Sequence, residues 1–162
     1  MLTTKKALSA KEKRRVAHKK KANQTKKAQR VTLRAIMPLM RHIVIHSTQT
    51  PPNISLSDVD KMPYHYIITK AGKLLKAKEF TAKDTACEIA LLGGLDKEGN
   101  RCDTRTAAQS EALFNLLVLT TELFPRATIV PADQLYVYSY ANPGYDLKGW
   151  LNDYIPEFLQ AA

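Results

Sequence analysis

The chain has 162 residues, long enough for one domain with its own core plus an appendage, and a net charge of +10. That charge is segregated: residues 1–34 hold 13 of the 25 Lys and Arg and a single acid, Glu12, which leaves residues 35–162 at a net −2. No apolar run approaches membrane-spanning length, the basic start is not followed by the apolar stretch of a secretory signal, and Cys87 and Cys102 make neither a CxxC nor a zinc-finger spacing, so a reduced, cytoplasmic setting is expected.

Residues 1–34 form the first unit, a basic arm. Ser9 and Glu12 have capping-box spacing, and the Lys/Arg/Ala/Gln-rich run that follows supports a helix over about residues 10–34. The arm has no apolar stripe, since Val16 is the one large aliphatic residue between Leu8 and Val31, so order is expected only against a polyanion. Its cations are Lys5, Lys6, Lys11, Lys13, Arg14, Arg15, Lys19, Lys20, Lys21, Lys26, Lys27, Arg30 and Arg34. They suit phosphate neutralisation and point to nucleic acid, RNA or DNA, as the partner. The arm lacks aromatic residues, which argues against base stacking, and the missing apolar face argues against membrane insertion.

Residues 35–162 form the second unit. The β-branched run RHIVIHST at 41–48 predicts a buried strand that delivers His46 to a sheet edge or mouth. Pro51-Pro52 ends it, and residues 55–60 are too short for more than one helical turn. Residues 64–69 and 74–77 predict a hairpin around the turn Lys70-Ala-Gly-Lys73, with alternation placing Tyr64, Tyr66 and Ile68 on one face and His65 and Ile67 on the other. A third buried strand is expected over 88–94, and then a helix over 106–123. Its predicted apolar face is Ala108, Ala112, Leu113, Leu116, Leu117, Leu119 and Leu123. Pro125 stops it, residues 127–130 read as a strand, residues 136–140 as a tyrosine-rich extended segment, and Asp146 caps a short last helix through Trp150 and Leu151. The expectation is a single α/β (α+β) domain with a central mixed sheet flanked by helices, the long helix on one face.

In this order the segments resemble the phage-lysozyme-type N-acetylmuramoyl-L-alanine amidases. The matching pieces are IVIHST (43–48), PYHYIITKAGKL (63–74), IALLGGLDKEGN (89–100) with DTRTAAQSEALFNLL (103–117), FPRATIV (124–130) and ANPGYDLKGW (141–150). The resemblance implies an amidase fold over nearly all of residues 42–153, and zinc held by two histidines and a cysteine with one open position for water. On that pattern His46 matches the first ligand and Tyr64 the tyrosine that assists catalysis. The second ligand falls on Ala132, the third on Asn142 and the catalytic lysine on Tyr140, so these three positions are lost. The segment before PYHYII is also short and lacks tryptophan, and residues 78–85 lack the further histidine of the pattern.

Substitutes are few. His42 lies four residues from His46, about 13 Å along a strand; His65 faces away from Tyr64, His18 is in the arm, and Cys87 and Cys102 suit packing or surface roles. Asp133 is the one credible replacement ligand, beside His46. The sequence therefore leads to a catalytically inactive amidase-fold protein, without cofactor, whose His46 is held by a hydroxyl such as that of Tyr64 or by a backbone carbonyl. Its arm binds nucleic acid or a nucleoprotein assembly such as a ribosome, virion or transcription complex. The alternative is a zinc-dependent N-acetylmuramoyl-L-alanine amidase with a modified site. A third reading is a regulatory protein that binds a protein partner through the old cleft, with Tyr136, Tyr138 and Tyr140 as contacts.

Overall fold

The structure, a computed structural model, describes residues 39–51, 54, 56–59, 61–136 and 142–154. The thirteen cations of the arm, together with Tyr138 and Tyr140, lie outside them. Five strands, β1 (His42–Ser47), β2 (Tyr66–Ile68), β3 (Leu74–Lys76), β4 (Ala86–Leu91) and β5 (Thr128–Pro131), form one sheet in the order β3-β2-β4-β1-β5. β1 runs parallel to both β4 and β5, and β2 parallel to β4, while β3 is the antiparallel return of the hairpin. The helices are α1 (Leu56–Val59), α2 (Ala107–Leu123), α3 (Ala132–Leu135) and α4 (Leu147–Tyr154). The expected mixed-sheet α/β domain is what forms.

Strand alternation divides the interior in two. Ile43 and Ile45 of β1, Cys87, Ile89 and Leu91 of β4 and Ile68 of β2 face α2 and α4, where they pack with Leu113, Leu116, Leu117, Phe124, Leu147, Trp150 and Leu151. On the other face Ile67, Ala90 and Leu92 pack with Val59 of α1 and, at the margin, Tyr64 and Leu75. The parallel strands β1 and β4 are buried over most of their length, as a sheet covered on both faces requires.

The entry to α2 carries its own wiring. Thr106 caps the helix by accepting from Gln109 N, and Gln109 Oε1 accepts from Thr106 N in return, a complete capping box. The fully buried Gln109 amide also donates to the carbonyls of Ile68 and Leu92, each at 3.0 Å, and Thr106 Oγ1 donates to Lys70 O at 2.7 Å. Lys70 Nζ in turn donates to Thr104 O and Thr104 Oγ1. The DTRT segment thus joins the hairpin, the end of β4 and the long helix.

Several expected details shift. The buried stripe of α2 is Gln109, Leu113, Leu116, Leu117 and Thr120, while Leu119 is 57% exposed and Leu123 39% exposed, so the face is rotated from the one the apolar residues suggest. Thr120 is tolerated inside because its hydroxyl donates to Leu116 O and Leu117 O. Regular β2 begins at Tyr66, so the alternation does not extend back to Tyr64. Tyr64 instead joins the Ile67 face, opposite Tyr66 and Ile68. β4 starts at Ala86, two residues earlier than expected, and a one-turn helix, α3, follows β5 directly.

Candidate functional site

Because Ile43 and Ile45 point into the α2 core, His46 emerges on the opposite face of β1, where it is 5% exposed. In the neighbouring strand Glu88 lies across from Val44 and Ala90 across from His46, which puts the Glu88 side chain beside the imidazole. His46 Nε2 bonds Glu88 Oε2, and the hydroxyl of Tyr136, at the end of α3, donates to Glu88 Oε1 at 2.5 Å. The imidazole sits against two tyrosine rings, Tyr64 at 5.0 Å between centroids and Tyr136 at 6.1 Å.

The electrostatics follow from this packing. Burial alone would raise the Glu88 carboxyl, but the hydrogen bonds from His46 and Tyr136 outweigh it and hold Glu88 below the usual carboxylate range. Burial and then the Glu88 charge push the Tyr64 phenol up, and burial and then the bond to Glu88 raise Tyr136. Both phenols therefore stay protonated at neutral pH, and Glu88 stays a carboxylate with a donor on each oxygen.

A second histidine supports Glu88 from behind. The Glu88 backbone N–H donates to His65 Nδ1 at 3.0 Å, so Nε2 carries the proton of the neutral ring and stands 3.4 Å from Asp84 Oδ2. The His65 ring stacks on Phe80 at 4.2 Å. Burial would raise Asp84, but bonds from Thr81 N, Lys78, the Thr81 hydroxyl and His65 bring it down to about 2. Burial is also the main reason His65 lies below its ordinary value.

The positions matched to the other zinc ligands are filled differently. Ala132 is fully buried at the first residue of α3, and Asn142 Nδ2 donates to Asp133 Oδ2 at 2.7 Å. Ser47 Oγ donates to Asn142 O at 2.8 Å, bringing the 142–146 segment against the end of β1. His42 is engaged elsewhere, with Thr128 Oγ1 at 3.0 Å. Among the described residues no group of three or more His, Cys, Asp or Glu side chains could hold a metal ion. His46 Nδ1 is buried without a hydrogen-bond partner, but the other two matched positions hold an alanine and an asparagine whose amide donates to Asp133, which do not complete a zinc donor set. The residues present do not fit the family's zinc.

Comparison with known proteins agrees with this architecture. Among solved structures the chain is similar to the Ph2119 endolysin from the Thermus scotoductus MAT2119 bacteriophage Ph2119, with TM-score 0.54 and 20% identity over 70% of this chain and 83% of that one. The fold is that of the phage-lysozyme-type amidases. The N-acetylmuramoyl-L-alanine amidase LysCS from Clostridium intestinale URNW superposes with TM-score 0.58 at 14% identity over 71% of this chain and 83% of its own. Bumblebee PGRP-SA gives 0.50 at 12% identity over 72% and 82% of the two chains. In sequence the chain is 30% identical over 95 residues to the endolysin of Klebsiella phage KP32, a match that spans 54% of this chain and 62% of that protein. No family profile matches the chain.

The structure brings together His46, Tyr64 and, around them, Glu88 and Tyr136. The partner of His46 is the Glu88 carboxylate, a correction to the expected hydroxyl or backbone carbonyl. Asp133 meets Asn142. Glu88 escaped notice because the predicted strand began at it, as if it were a strand end. Its signal was nevertheless present: a lone carboxylate within ACEIAL, on the side of the strand opposite Cys87 and Ile89, must find donors if it is to be buried.

Proposed function

We propose that this chain is a catalytically inactive amidase-fold protein that binds nucleic acid, alone or within a nucleoprotein assembly, through residues 1–34, and that it works in the cytoplasm. The observation that carries the inactive half is the bond between His46 Nε2 and Glu88. The histidine matched to the first zinc ligand is tied to a carboxylate, with Ala132 and Asn142 at the other two ligand positions. An alanine and an asparagine at the other two ligand positions do not complete the donor set that would hold the ion for amide hydrolysis, which supports the inactive reading. The binding half rests on the thirteen cations of residues 1–34 against one acid.

Filter-binding titrations against mixed-sequence RNA and DNA at several salt concentrations test the binding half. If about six to ten phosphates are neutralised, affinity falls by about three to five decades between 50 and 200 mM salt, and deleting residues 1–34 abolishes it. No binding at low salt, or binding unaffected by the deletion, would overturn it. The similarity to endolysins favours a second reading, a zinc amidase with a modified site. Stoichiometric zinc in the purified protein, with wall-peptide cleavage lost in His46→Ala, would establish that reading.

A further inference from the structure

We infer that Glu88 takes over the cross-linking role of the metal, so that the former catalytic centre is a closed, metal-free staple. The inference concerns the centre itself and is independent of what residues 1–34 bind. In the pattern this chain resembles, one ion would tie together three segments: β1 through His46, the start of α3 through position 132, and the segment after residue 141 through position 142. Here each pair of those segments is tied by side-chain hydrogen bonds, one of them through a carboxylate from β4. β1 is joined to the end of α3 by the relay from His46 through Glu88 to Tyr136, with β4 supplying the carboxylate. α3 is joined to the 142–146 segment by Asn142 Nδ2 and Asp133 Oδ2 at 2.7 Å. The 142–146 segment is joined back to β1 by Ser47 Oγ and Asn142 O at 2.8 Å. The three links connect the three segments pairwise.

The chemistry of the central group fits this role. A carboxylate presents two oxygens, and Glu88 uses one toward His46 and the other toward Tyr136, so it bridges two segments as a two-ligand ion would. Its backbone N–H is meanwhile fixed by His65 Nδ1. Ala132, the first residue of α3, is fully buried, so the position matched to the second ligand presents no donor to solvent.

Two measurements test this. First, the melting temperature of the full-length protein is followed with a chelator and with added zinc, beside that of Glu88→Gln, which keeps the shape but removes the charge. The wild type should be unmoved by either addition, and Glu88→Gln should melt about 5 °C lower or more. Stabilisation of the wild type by equimolar zinc, or a Glu88→Gln protein as stable as wild type, would overturn the inference. Second, zinc binding is measured by titration calorimetry for Ala132→His/Asn142→Cys with and without Glu88→Ala. If Glu88 holds the nitrogen the ion needs, the triple variant binds zinc at least ~10-fold more tightly than the double. Equal affinity, with the metal held through His46 Nδ1 while Glu88 stays in place, would overturn it. Loss of RNA binding in these variants is not expected, so the arm reading and this one fail separately.

Discussion

Gln109 and Leu92 are joined by a buried hydrogen bond, amide nitrogen to carbonyl oxygen at 3.0 Å, which fastens the first turn of α2 to the residue that follows β4. The same amide nitrogen serves Ile68 O, which also accepts from Leu92 N at 2.9 Å, so one side chain supplies Leu92 O with a donor and Ile68 O with a second one. Gln109→Leu keeps the volume and removes both donors. With Ile68 O still bonded to Leu92 N, the expected cost is about 1–3 kcal/mol, measured by urea unfolding with an unchanged m-value. A loss below about 1 kcal/mol would show that Leu92 O finds another donor.

The rotated face of α2 gives a paired prediction. Leu113 is fully buried in the main core and Leu119 is 57% exposed, although both occur in the same apolar-rich run. Leu113→Ala should cost about 2–5 kcal/mol, and Leu119→Ala should stay within about 0.5 kcal/mol of wild type. The difference in denaturation midpoint between the two variants is the readout, and comparable losses would place the stripe where the apolar pattern alone puts it.

Two glycines in the left-handed region separate backbone strain from crowding. Gly72 has φ 77° and a Cβ there would meet Ala108 O at 2.7 Å, whereas Gly99 has φ 84° and open space around it. Gly99→Ala should cost about 1 kcal/mol, the left-handed penalty by itself. Gly72→Ala should cost at least about twice that, because the obstacle is helix backbone that cannot step aside. Equal losses would mean that the hairpin turn moves away from α2 without penalty.

Acid should destabilise the protein in stages. His65 is held below its ordinary 6.5, chiefly by burial, so the unfolded chain binds that proton first, and stability present above about pH 6.5 is lost as pH falls below it. Glu88 and Asp84 are both depressed, Asp84 from 3.8 to about 2. Their contributions are therefore present above the ordinary carboxylate values and are lost as pH drops through them. Unfolding free energies between about pH 8 and 3 should be flat at first, decline below about 6.5 and decline further below about 4.5. In His65→Asn the first decline should disappear.

Local pattern carried much of this fold. The run IVI read as buried strand because β-branched residues fit a sheet covered on both faces, the Lys70–Lys73 turn carried its glycine, and Asp146 before α4 does accept from Gly149 N. α3 went unread because a single turn has no periodicity to detect. The face of α2 was misjudged because a buried Gln and a buried Thr, each satisfied by carbonyls, count as polar in any pattern. The key relationship of the site lay beyond local reading altogether: Glu88 meets partners 42 and 48 residues away in sequence, and only the register of β1 on β4 brings them together. Positions 132 and 142 stood out only against the resembled pattern, since neither an alanine nor an asparagine signals by itself that a ligand belongs there.

β1 carries the chain from one end of the parallel sheet to the other. The described chain enters the sheet at Arg41, whose backbone N–H donates to Thr85 O and whose carbonyl accepts from Thr128 N, at the end where the parallel strands begin. His46 lies five residues on, about 16 Å away along the strand, toward the end where they finish. A substitution at Arg41 and one beside His46 are therefore far enough apart for their effects on stability to add.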